Sequence, residues 1–154
     1  EYELRRGLAL SLGGRPFDCT NFISQCVYAG GFEMTEDWYF NIGKYDLLGR
    51  HTEHSRSWTV TRDFDSWLSS SGWIEEEQIY KKIGTREIFD LLSEAEVGNL
   101  IGFLDDENEV YHWAIITKIE DTTIYYAAHD SNGTYRPLRL GHSIKLIRIK
   151  SQNP

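Results

Sequence analysis

Three residue types that together make a thiol nucleophile are spread along this chain. Cys19 opens the segment Asp18-Cys19-Thr20-Asn21-Phe22-Ile23-Ser24-Gln25-Cys26-Val27-Tyr28-Ala29-Gly30-Gly31, which reads as a helix stopped by its terminal glycines. A thiol at a helix start sits beside unpaired backbone amides and the positive end of the dipole, which favour thiolate over thiol. Asp18 is positioned to cap that first turn through its carboxylate. His112 lies early in the run Tyr111-His112-Trp113-Ala114-Ile115-Ile116-Thr117, where period-two alternation puts it on one face with Ala114 and Ile116. An imidazole that met the Cys19 sulfur would serve as its general base, and the pair would make a cysteine hydrolase.

A third polar group orients the imidazole in such sites, and the next strand can supply it. Positions paired across an antiparallel hairpin have a constant sum. If Glu120-Asp121 is the whole turn, Ile119 faces Thr122 and His112 faces His129. An even widening of the turn keeps His129 on that face, whereas an odd-length turn or a bulge brings Asp130 round instead. His129 is the expected third member and Asp130 its alternative.

Each residue also has a plainer reading. A lone cysteine on an apolar helix face is more often a small core residue than a nucleophile, and Cys26 fits that role. The two cysteines lie on one helix with Cα atoms roughly 10 Å apart at a rise of about 1.5 Å per residue. That is beyond the reach of a disulfide, about 7 Å. His51 and His54 are spaced like paired metal ligands, but no C-x-x-C motif or second histidine pair accompanies them, so no metal or other cofactor is expected. Trp58 and Trp113 are the candidate walls of a substrate groove, although large aromatics are more often core.

The elements that must position these groups follow from apolar spacing. Leu4, Leu8 and Leu12 mark a first helix over Tyr2 to Leu12, ended by Gly13-Gly14 and Pro16. The cysteine helix comes next, with Asn21, Ser24 and Gln25 on its polar side. From Phe32 to Val60 no period is sustained, and aromatics are set among glycines and charges. Helical spacing returns at Thr61 to Ser70 and at Thr85 to Ala95, the latter with Thr85 as its cap. After Gly98 the pattern turns to β: Asn99–Leu104, Val110–Ile119, Thr123–Ala128 and Ser143–Ile149. Helices first and strands last predict an α+β domain with a mostly antiparallel sheet packed on the N-terminal helices, so that the Cys19 stripe covers the His112 face.

Composition narrows the function classes. A chain of 154 residues can build one domain with its own core, so 1–154 is expected to be a single domain. A net charge of −8, with 16 basic residues scattered among 24 acidic ones, argues against a nucleic-acid partner. No apolar run approaches the roughly 18 residues of a membrane helix, so no membrane insertion is expected. The chain begins at Glu1, which leaves a signal peptide undecided.

The cysteine block, Ser57-Trp58-Thr59, Val97-Gly98-Asn99-Leu100-Ile101-Gly102-Phe103 and the His112 strand, in this order, resemble the bacterial putative amidase domain. That family is similar to the CHAP and NlpC cell-wall hydrolases, which share a reduced papain-like fold. The resemblance implies Cys19 as nucleophile, His112 as general base and His129 as the third polar position. It also implies a peptide or peptidoglycan amide as substrate, and a secreted or wall-associated protein. Residues 1 to 18 contain neither Gln nor Asn for the second oxyanion donor, and Tyr2 is the candidate by analogy with NlpC relatives. A wall-binding module that has lost turnover and an acyl-transferring relative are the alternative readings.

Overall fold

The computed structural model of the protein describes residues 18–41, 43–49, 53–129 and 135–152. The expected first helix with Tyr2, and also His51 and Asp130, lie outside these. Within them the chain is α+β. Helices α1 (Cys19–Ala29), α2 (Arg56–Thr59) and α3 (Thr61–Ser70) precede strand β1 (Ile74–Tyr80) and helix α4 (Glu87–Glu94). Strands β2 (Leu100–Leu104), β3 (Val110–Glu120), β4 (Thr123–Ala127), β5 (Arg136–Pro137) and β6 (Ser143–Ile149) complete it. All six strands form one antiparallel sheet in the order β1-β6-β2-β3-β4-β5.

The sheet separates two cores. On one face Ile23 and Val27 of α1 and Phe64 and Leu68 of α3 pack with Leu100, Leu104, Val110, Trp113 and Ile147. On the other, Leu91 of α4 and Ile83 pack with Ile101, Phe103, Ala114, Ile116 and Ile144. The cysteine helix therefore covers the Trp113 side of β3, not the side that His112 shares with Ala114 and Ile116. This corrects the expected packing: thiol and imidazole can meet only around the edge of β3.

Two further expectations change. Strand β1 lies between helices, so the helices do not all come first; its Glu75, Glu76 and Glu77 are exposed on an edge strand, which removes the apolar alternation that marks a half-buried one. Thr85 is not the cap of α4, which begins after Arg86; the Glu87 carboxylate accepts from the Gly84 N–H at 2.9 Å instead.

The described residues between Phe32 and Ser55 are held by aromatics and by the polar side of α1. The Ser24 hydroxyl donates to the Trp58 carbonyl and accepts from the Trp38 indole, each at 3.0 Å. Asn21 Oδ1 accepts from the Trp58 indole at 2.8 Å. Asn21 and Ser24 are fully buried, because indole N–H groups taken into a core require acceptors there.

Candidate active site

Cys19 is the first residue of α1, and its side chain is 6% exposed. The Phe22 N–H closes the first turn on the Asp18 carbonyl at 3.0 Å, while the amides of residues 19 to 21 precede that turn and have no helical carbonyl to reach. Asp18 does not cap them with its carboxylate, contrary to expectation. Its Oδ2 lies instead 3.2 Å from His129 Nδ1, an ion-pair distance without the alignment of a hydrogen bond. A second helix start converges on the sulfur. Thr61, at the head of α3, places Oγ1 4.0 Å from Cys19 Sγ and 2.9 Å from Thr20 Oγ1, and Thr20 Oγ1 is 3.8 Å from the sulfur.

His112 reaches the same atom. Burial pushes the Cys19 thiol up, and four influences act against it: a hydrogen bond with the His112 side chain, one from the Trp113 backbone N–H, the positive charge of His112, and the Thr20 hydroxyl. Together they hold the thiol below its ordinary value. The β3–β4 ladder ends at Ile115–Ala127, so β4 does not cover β3 at His112 and Trp113, and α1 presents the sulfur to those two residues.

The hairpin turn is Asp121-Thr122, with Glu120 opposite Thr123. Lys118 opposes Tyr125 and Ile116 opposes Tyr126, so Thr117 is a bulge that lowers the pairing sum by one. Continued along β3, that register sets His129 opposite Trp113, not opposite His112. His129 thus leaves the expected place of third member and sits against Asp18, its ring 6.1 Å from Phe22. Asp130, the alternative, lies outside the described residues.

A cavity of about 410 Å³ opens beside Cys19 and His112. Thr61, Phe103, Tyr111 and Tyr126 contribute to its wall, as do Arg136 and His142, whose part in it no sequence pattern announces. Trp58 and Trp113 do not face it as groove walls; they are 1% and 0% exposed. Trp113 is core, its indole donating to the Thr61 carbonyl at 3.3 Å, and it serves the site through its backbone N–H. Cys26 is half-buried against a separate cavity of about 540 Å³ with Val27, Phe32 and Arg148, away from His112. His54 stacks on Phe40, rings 5.7 Å apart, at the bridge that closes the aromatic loop. Among the described residues the one cluster of potential metal ligands is Asp105, Glu107 and Glu109 in the β2–β3 turn, and none of the three lines the Cys19 cavity. No described helix is long and apolar enough to cross a membrane.

Compared with known proteins, the chain matches the family model described as a putative amidase domain over residues 12–151. No curated protein and no solved structure matches it.

Proposed function

The chain belongs to the putative amidase domain family, a family of amide hydrolases by description, and on that premise we propose that it cleaves its amide with Cys19 as nucleophile and His112 as general base. The observation that carries this reading is the hydrogen bond between the Cys19 thiol and the His112 ring beside an open cavity. His112 takes the thiol proton and the sulfur attacks the amide carbon. The C–N bond then breaks as His112 returns that proton to the leaving amine, which leaves a thioester. Water, deprotonated by His112, attacks the thioester; the acid departs and the thiol is restored.

The charge that moves to the carbonyl oxygen needs donors about 3 Å away. The Cys19 backbone N–H at the head of α1 is one. The Thr61 hydroxyl, 4.0 Å from the attacking sulfur, is positioned to be the second, in the role for which Tyr2 was the candidate by analogy. While the charge is on sulfur, Thr61 donates to Thr20 and Thr20 to the sulfur. Once it is on oxygen, both hydroxyls rotate so that Thr20 donates to Thr61 and Thr61 to the oxyanion. Asp130, the alternative third member, is the better candidate to orient His112, since His129 is held by Asp18.

Peptidoglycan stem peptides are the proposed substrate and the wall the proposed place of action, by the likeness of the motifs to CHAP and NlpC hydrolases. Purified peptidoglycan incubated with wild type, Cys19→Ser and Cys26→Ser, with products read by mass spectrometry, tests the reading. Release of new amine and acid termini by wild type and Cys26→Ser but not by Cys19→Ser is expected. Equal release by Cys19→Ser would end the cysteine mechanism, and turnover confined to simple amides would end the wall assignment.

A further inference from the structure

A second imidazole shares the cavity with His112. His112 is the direct partner of Phe103 in the β2–β3 ladder, and Phe103 is in turn the direct partner of Ile144 in the β2–β6 ladder. Directly paired residues of an antiparallel ladder project to the same side, and His142, two residues before Ile144, keeps to that side by alternation. Its ring meets that of Phe103 edge-on at 5.2 Å, and the His112 ring lies 5.6 Å from the same phenyl. The two imidazoles thus approach one aromatic side chain from different strands, and all three residues line the cavity of about 410 Å³ beside Cys19.

The backbone of His142 is fixed, and its ring nitrogens are not engaged. Its carbonyl accepts from the Ile83 N–H at 2.9 Å, the Gly141 N–H donates to the Ile83 carbonyl at 2.8 Å, and Ser143 Oγ accepts from the Lys82 N–H at 3.0 Å. Ile83 is buried in the core beneath α4, so these bonds tie His142 to that core. His142 is half-buried, and among the described residues its ring contacts Phe103 but has no hydrogen-bond partner. Packing on Phe103 requires only a ring. The nitrogens are left for what enters the cavity, and a neutral imidazole offers one donor and one acceptor, the complement of a peptide unit.

Distance sets what such a ligand must be. Adjacent strands are about 4.8 Å apart, so β3 and β6 lie roughly 10 Å from each other across β2. An extended peptide advances about 3.4 Å per residue and covers that span in about three residues. We propose that His142 hydrogen-bonds a backbone peptide unit of the substrate about three residues from the amide presented to Cys19. This rests on the cavity's being the amidase site and narrows its substrate class: an amide that belongs to an oligopeptide, not an isolated small amide.

The probes are acetyl-trialanine amide and acetyl-alanine amide, titrated by NMR into Cys19→Ala, which lacks the proposed nucleophile, and into the same variant carrying His142→Phe or His142→Gln. With His142 in place the longer probe should bind at least about fivefold more tightly than the shorter, as one added hydrogen bond would give. His142→Phe keeps a ring against Phe103 and removes both nitrogens; it should abolish that preference and leave the affinity for the shorter probe as it was. His142→Gln, which again offers a donor and an acceptor, should restore part of it, with melting temperatures confirming that each variant is folded. Equal binding of the two probes, binding of neither, a preference that survives His142→Phe, or an equal loss of affinity for both probes would overturn the proposal. Iodoacetamide labelling of Cys19 in the wild-type chain separates the two readings. An inert Cys19 with the length preference intact would fail the hydrolase and leave the peptide site, whereas a reactive Cys19 without the preference would fail the His142 site alone.

Discussion

Asp18 and His129 are joined across the head of the nucleophile helix, Oδ2 to Nδ1 at 3.2 Å, with the carboxylate 7% exposed and the imidazole 40% exposed. This contact ties the loop after β4 to the residue preceding Cys19, so it holds the site together without touching the sulfur. His129→Ala should therefore lower unfolding free energy by about 1 kcal/mol, a partly screened contact, and reduce kcat by less than tenfold. Chemical denaturation and steady-state rates on one substrate check this. A loss of several hundredfold in kcat with unchanged stability would restore His129 to the role of third member.

The lowered Cys19 thiol predicts a pH profile. Alkylation by iodoacetamide proceeds through the thiolate, so the rate at Cys19 should rise with a midpoint below that of an ordinary thiol. His112→Ala removes two of the influences that lower it and leaves burial in force, so the midpoint should move up. The stability linkage has the same origin: ionisation of Cys19 stabilises the folded chain above the unfolded thiol's value, and that gain disappears as pH falls through the folded one. Peptide mapping of the two cysteines across pH gives the profile for each.

How far such features can be read from sequence depends on whether the cause is local. The cysteine helix, its glycine stop and the strand that carries His112 declare themselves by period, since one face of each is apolar and buried. Strand β1 does not, because an edge strand with Glu75, Glu76 and Glu77 in water needs no alternation. The bulge at Thr117 leaves no local mark, yet it moves His129 off the position opposite His112. Trp58 and Trp113 illustrate the same limit: aromatic type is visible, but whether a ring faces a groove or a core depends on distant partners such as Asn21 and Thr61. Thr61 joins the site through a contact with Cys19 from 42 positions away in the chain, and Arg136 through the β4–β5 pairing.

The hydroxyl of Thr61 yields a sharper test of the oxyanion assignment than any change at Cys19. Thr61→Val keeps the shape and removes the donor, and should lower kcat by roughly a hundredfold with KM nearly unchanged. Its Cys19 alkylation profile should stay near wild type, because Thr20 still reaches the sulfur. Thr61→Ser should restore most of the rate. Thr20→Val should act differently, moving the alkylation midpoint up by removing a hydroxyl that favours the thiolate. If Thr61→Val slowed alkylation and turnover equally, its effect would lie on the nucleophile and not on the oxyanion.

Gly102 shows how the core reaches the chemistry. It sits opposite Trp113 in the β2–β3 ladder, and a Cβ there would stand 3.0 Å from Val110 Cγ2 and 3.2 Å from Trp113 Cζ3. Neither neighbour can swing away, since Val110 is 3% and Trp113 0% exposed in the core beneath α1 and α3. Gly102→Ala should destabilise the fold by about 1–3 kcal/mol, the usual cost of an extra methyl in a packed core. Because the displaced Trp113 carries the N–H that holds the Cys19 sulfur, the variant should also raise the midpoint of Cys19 alkylation. A distant core substitution that only lowered stability would leave that midpoint in place, so the alkylation profile of folded Gly102→Ala distinguishes a shifted N–H from simple loss of packing.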